Sequence, residues 1–153
     1  MPARRACGGA DTFATALHLP LSRLVQFYLK AIFVFLPAIT MTFLTDEQRL
    51  RMLANGAART RGEAIDPLPV VKLYTLDAGA VWLLTELDAG EDRAFGLCDA
   101  GAGSPELGQV SLWALEGVRG PRGMRIVADP HFKPRQPLSG YLADAQRDGS
   151  IND

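Results

Sequence analysis

Three apolar runs, Val70–Leu76, Val81–Leu87 and Ala94–Cys98, follow one another with only "DAGA" and "DAGEDR" between them. A parallel crossover takes a dozen residues or more, so connections this short force the three segments into antiparallel neighbours. A fourth run, Gln109–Trp113, follows the glycine-rich "DAGAGSPELG", and Met124–Val127 supplies a candidate fifth. Two helical patterns flank this region. Thr45-Asp46-Glu47-Gln48 has the form of a capping box, and Leu50, Leu53, Ala54 and Ala57 continue it at helical spacing, with Asn55-Gly56 marking a stop nearby. Near the other end Leu138, Tyr141, Leu142 and Ala145 recur at helical spacing, behind Ser139 as a cap and ahead of Gly149. Leu112–Val118 reads as a short helical turn. The expected fold is α+β: an N-terminal helix, an antiparallel four- to five-stranded meander sheet and a short C-terminal helix in a single small domain.

The first 40 residues differ from the rest, holding four basic residues and a single acid, Asp11. Their apolar part, Leu24–Ile39, is broken by Gln26, Lys30 and Pro37 and is shorter than the roughly 20 residues of a membrane span. Residues 1–40 are expected to be upstream sequence before a start at Met41, with an apolar anchor and an export signal as competing readings. Residues 41–153 then form the domain, with 12 bases and 16 acids, a net charge of −4. Cys7 and Cys98 are the only cysteines, which argues against a disulfide framework and for a reducing, cytoplasmic setting.

Charge is segregated along the domain. From Asp77 to Glu116 there are eight acids and one base; from Gly117 to Arg135 there are five bases and one acid. Such a division suits a polarised surface, or two segments that neutralise each other in the folded state. Glu86 and Asp88, two apart on a strand, are expected to share a face with Trp82 and Leu84, and with Glu106 they form a candidate carboxylate site for Mg²⁺ or Mn²⁺. Glu116, Arg119 and Arg122 are further candidate binding residues, the two arginines being suited to a carboxylate or phosphate. His131 lacks a second histidine at metal-binding spacing and reads as a loop bystander. Cys98 reads as a structural thiol. The glycines of "GVRGPRG" match no phosphate-binding or dinucleotide motif, and the stretch reads as a structural corner.

The order "VVKLYT", a tryptophan four residues before "ELD", "FGL", "PELGQVSL", "LEGVRGPRGMRI" and "HFKPRQPLSGYLADAQRDGSI" resembles the bacterial domain of unknown function 2958 family. Its members are small proteins found frequently on plasmids and integrative elements. The resemblance spans Thr42 to Asn152 and implies no reaction and no catalytic residues. Ala114 stands where an acid is common in the family pattern, and "IVADPHF" replaces a run that usually carries a Glu-Arg pair.

Three functions follow as expectations. The first is a non-enzymatic accessory domain of a mobile element that binds a protein or nucleoprotein partner and needs no cofactor. The second is a metal-dependent hydrolase or nuclease using Glu86, Asp88 and Glu106, with Arg119 on phosphate. The third, direct DNA binding through Arg119, Arg122, Arg125, Lys133 and Arg135, is disfavoured by the net −4 of the domain.

Overall fold

In the computed structural model, which describes residues 43–152, the capping box at Thr45 is complete. The Thr45 hydroxyl accepts the Gln48 N–H at 3.2 Å, and Gln48 Oε1 accepts the Thr45 N–H at 2.9 Å. Asp46 and Glu47 add negative charge to the positive end of helix α1 (Asp46–Thr60). The helix does not stop at Asn55-Gly56 as expected. Asn55 Nδ2 donates to the Thr85 carbonyl at 2.8 Å, and a Cβ on Gly56 would overlap the Leu87 carbonyl. The pair is a device for close packing of helix on strand, and α1 runs on through it.

The strands are β1 (Val71–Thr75), β2 (Val81–Leu87), β3 (Arg93–Asp99), β4 (Glu106–Ser111) and β5 (Ile126–Ala128). They form one antiparallel sheet in the order β4-β3-β2-β1-β5. The first four make the expected meander. Helix α2 (Leu112–Gly117) then carries the chain back, so that β5 pairs with β1 at the opposite edge. The fold is the expected α+β class, closed by helix α3 (Leu138–Asp148).

Each face of the sheet has its own core. Phe43, Met52, Val71, Leu73, Trp82, Leu84, Leu87, Leu112, Leu115 and Ile126 cluster on the side of α1 and α2. Leu83, Leu97, Leu138, Tyr141 and Ala145 cluster on the side of α3, with Phe95 and Leu142 against them. A register shift between Leu84 and Glu86 inserts Thr85 as a bulge and reverses the alternation of β2. Leu87 therefore joins Trp82 and Leu84 in one core, correcting the expectation that Glu86 would. The register with β1 ends at Val71↔Leu84, and α1 packs where that strand leaves β2 uncovered.

Ser139 is not the cap of α3. The cap position is Pro137, which makes no side-chain bond, and Ser139 lies in the first turn. Its N–H and hydroxyl donate to Asp66, at 3.1 and 2.5 Å. The capping acid thus comes from 73 residues earlier, a contact no local pattern shows. Gly149 ends the helix in the left-handed conformation, with φ of 71°.

Candidate binding surface

The stretch "RGPRG" folds as a corner built around an acid from the β1–β2 connection. Gly120, Pro121, Arg122 and Gly123 make a β-turn closed by the Gly123 N–H on the Gly120 carbonyl at 2.9 Å. Proline in second place and glycine in fourth are the residues such a turn favours. The Gly120 N–H donates to the Met124 carbonyl at 2.8 Å, narrowing the corner into a ribbon. Asp77 supports it from below. Its Oδ2 accepts the Arg122 N–H at 2.7 Å, and its carboxylate lies so close to Gly120 that any Cβ there would overlap it. Asp77 Oδ1 is buried without a hydrogen-bond partner.

This corner presents arginines. Arg119 and Arg125 stand directly opposite each other in an isolated antiparallel bridge, and both are exposed. Residues so paired project to the same side of a ribbon with Cβ atoms about 5 Å apart. Arg119 Nη1 donates to the carbonyls of Glu116 and Val118, each at 2.8 Å, which fixes the guanidinium against the end of α2. Among the described residues neither Arg119 nor Arg125 has an ion pair. The acidic meander and the basic loop do meet, but through a carboxylate and a backbone N–H; the Arg122 side chain takes no part in that bond and is exposed.

The candidate carboxylates go elsewhere. Glu86 is buried at 5% exposure, and its oxygens are held by Arg59: Nη2 lies 2.6 Å from Oε1, and Nε lies 3.0 Å from both. Arg59 also sits 5.6 Å above the Phe95 ring centre. Its hydrogen bonds to Glu86 outweigh desolvation and raise its pKa further, so the guanidinium stays charged. Asp88 closes the β2–β3 loop, accepting the N–H groups of Asp92 and Arg93 at 3.0 and 2.9 Å. Glu106 is exposed at the start of β4. The register Glu86↔Phe95↔Gln109 places Glu86 two strands and three residues from Glu106, on the order of 14 Å. Glu86 and Glu106 are therefore not brought together. Among the described residues no group of three or more His, Cys, Asp or Glu side chains is placed to hold a metal ion.

Other ionisable groups serve the loops. Asp92 Oδ1 accepts the Ser111 hydroxyl at 2.8 Å and the Trp113 N–H at 3.0 Å, joining the β2–β3 loop to the start of α2. These bonds, the one from Trp113 first, draw its pKa below the ordinary value. Asp99 gathers the N–H groups of Gly101, Ala102 and Gly103. Burial, with the Glu106 charge second, pushes the Cys98 thiol up to about 11, so it is no nucleophile at neutral pH. His131 is exposed in a loop, its N–H on Asp129. An open cleft of about 340 Å³ beside α3 is lined by Arg135, Gln136, Tyr141, Asp144 and Asn152. Its Tyr141 hydroxyl already accepts the Arg135 N–H, and Asp144 already binds Gln136 and Arg147.

Arg119, Arg122 and Arg125 were legible in the sequence, but Asp77, which supports their corner, and Arg59, which holds the candidate carboxylate Glu86, were not. Asp77 carried one signal, its place at the head of a four-residue hairpin connection. Arg59 carried none, since nothing local links the end of a helix to a strand 27 residues away.

Among the described residues no helix is long and apolar enough to cross a membrane. The arrangement is a small α+β domain with helices on both faces of one antiparallel sheet and an arginine corner at one edge. The chain belongs to the family described as "Protein of unknown function (DUF2958)", which it matches over residues 43–152. No curated protein and no solved structure matches it.

Proposed function

We propose that this chain is a non-enzymatic binding domain, an accessory protein of a mobile element acting in the cytoplasm, whose arginine corner docks an acidic protein surface. The observation that supports it is the Arg119–Arg125 bridge. Like charges directly opposite each other on a ribbon are destabilising, so the pair costs the free protein stability. A partner carboxylate between the two guanidiniums removes that repulsion and adds charge-assisted, bidentate hydrogen bonds. Arginines held in place beforehand lose less entropy on binding, and the Arg119 bonds to two carbonyls and the Asp77 support beneath the turn provide that order. A protein partner fits better than a nucleic acid, because residues 41–153 carry a net −4 that a phosphate backbone would meet around the corner. The binding requires no metal or organic cofactor.

The test immobilises the full chain and its Arg119→Ala/Arg125→Ala variant and passes bacterial host lysate over both at low and at raised salt. The expected result is a specific acidic protein that the wild-type chain retains at low salt and releases at raised salt, and that the variant does not retain. Identical retention by both chains, or retention of nucleic acid alone, would overturn this reading.

A further inference from the structure

Strand β4 forms one edge of the sheet, and its outer side carries a defined set of unused backbone groups. The Leu112 N–H donates to the Asp92 carbonyl at 2.9 Å, which continues the β3–β4 register by one pair. Alternation in an antiparallel ladder then turns the backbone groups of Val110, Gly108 and Glu106 toward β3 and those of Leu107, Gln109 and Ser111 outward. The Ser111 carbonyl, as the N-cap of α2, already serves the first turn of that helix. Among the described residues the Ser111 N–H and the outward groups of Leu107 and Gln109 have no backbone partner on the open side. The strand also lacks the devices that protect edges. Its six residues, "ELGQVS", contain no proline and no lysine, its register with β3 has no bulge, and its one charge stands at its first residue. Leu107 is 43% exposed on it.

We infer that β4 is a self-association edge, and that two copies of this chain pair β4 to β4 in antiparallel fashion about a two-fold axis at Gln109. Self-complementarity singles out a second copy. An antiparallel strand paired with itself must set residues of equal orientation opposite each other, so the axis passes through one residue. With the axis at Gln109, all three outward residues are used: Gln109 faces Gln109 of the second copy, and Leu107 and Ser111 face each other twice. An axis at Gly108 would instead bring Pro105, which has no N–H, opposite Ser111. The Gln109 register sets no like charges opposite each other, since Glu106 meets the uncharged Leu112 position. Leu107, Gln109 and Ser111 also share one face, the side on which Leu97 and Phe95 pack near α3, so Leu107 gains cover from the mate. The result is a continuous ten-stranded antiparallel sheet. A six-residue pairing spans only about 20 Å, so association is weak and depends on concentration. The arginine corner lies at the far edge and is not involved.

Position-specific crosslinking tests this on the full chain, with Cys7 and Cys98 replaced by serine. In the proposed register the two Gln109 Cα atoms lie about 5.5 Å apart, within disulfide reach, whereas the two Leu107 Cα atoms lie about 14 Å apart, well outside it. With oxidised glutathione as oxidant, the two introduced thiols of Gln109→Cys give up two protons and two electrons and form one disulfide. The expected result is a covalent dimer from Gln109→Cys at least ten times faster than from Leu107→Cys. A second measurement uses Gln109→Pro, which deletes an outward N–H but leaves the bonds to β3 intact. It is expected to fold as the wild type does by circular dichroism and to lose the dimer that the parent chain shows by sedimentation between about 10 µM and about 1 mM. Equal crosslinking at both positions, preferred crosslinking at Leu107, or dimerisation of Gln109→Pro equal to the parent would each overturn the register. A parent chain monomeric throughout that range would overturn the dimer and leave the edge to an extended segment of another protein.

Discussion

Asp77 Oδ2 accepts the backbone N–H of Arg122 at 2.7 Å, across 45 residues of sequence, and by that bond the acidic meander holds the basic loop in place. The partner of the acid is the backbone, which leaves the arginine side chains of the corner available on the surface. Gly120 makes the approach possible, because only a residue without Cβ fits against the carboxylate.

A double-mutant cycle exposes this arrangement. Asp77→Ala removes a charge-assisted hydrogen bond and is expected to cost about 1 kcal/mol by urea denaturation. Gly120→Ala drives a methyl group into the carboxylate and is expected to cost about 2 kcal/mol. In the double variant the obstructing carboxylate is gone, so the two costs should fall short of additive by at least about 0.5 kcal/mol. Strict additivity would show that Gly120 is not confined by Asp77.

Gly56 makes a prediction whose sign runs against helix propensity. Glycine in an exposed helix interior is less favourable than alanine by about 1 kcal/mol, so Gly56→Ala ought to stabilise α1 if only the helix mattered. Here the added Cβ would meet the Leu87 carbonyl, and the helix must withdraw from β2 or strain. The expected outcome is a loss of about 2 kcal/mol in thermal or urea unfolding.

The same position shows where sequence reading succeeds and where it stops. Short connections such as Asp77–Ala80 fixed the meander, because chain geometry admits no other pairing. The capping box at Thr45 was legible because all its atoms lie within four residues. Asn55-Gly56 misled because the feature that retains it in the helix is the edge of β2, about 30 residues away. The bulge at Thr85 is likewise unwritten in "VWLLTEL", and it alone moved Glu86 off the face of Trp82. Of the candidate site, the arginines were legible as charge; their pairing was not, since the Arg119–Arg125 bridge depends on how the turn closes between them.

Asp92 gives a pH dependence of known sign. Its hydrogen bonds to Trp113 and Ser111 favour the carboxylate and draw its folded-state pKa below the ordinary 3.8. The folded state then binds fewer protons than the unfolded one in this range, so stability rises with pH there. The Asp92 contribution is fully present above the ordinary value and is lost as pH falls through the lowered one. Asp92→Asn is expected to flatten the decline of melting temperature below about pH 4 while lowering stability at pH 7. An unchanged slope would mean that the Ser111 and Trp113 bonds do not hold in solution.

The Arg59–Glu86 pair decides what Glu86 is for. Glu86 is 7% exposed at its side chain and Arg59 is 46% exposed, so removing the arginine leaves a carboxylate in a largely dry site. Arg59→Ala is therefore expected to destabilise by about 2 kcal/mol, below the range for fully buried pairs because solvent reaches the guanidinium. Arg59→Lys should recover less than half of that, since an ammonium cannot reproduce the Nε and Nη2 bonds to two oxygens or the stacking on Phe95. Glu86→Gln, which keeps the shape and one acceptor, should cost less than Arg59→Ala. If Arg59→Ala instead left stability unchanged and conferred Mg²⁺ binding in a calorimetric titration, Glu86 would be a ligand masked by the arginine, and the pairing would need another account.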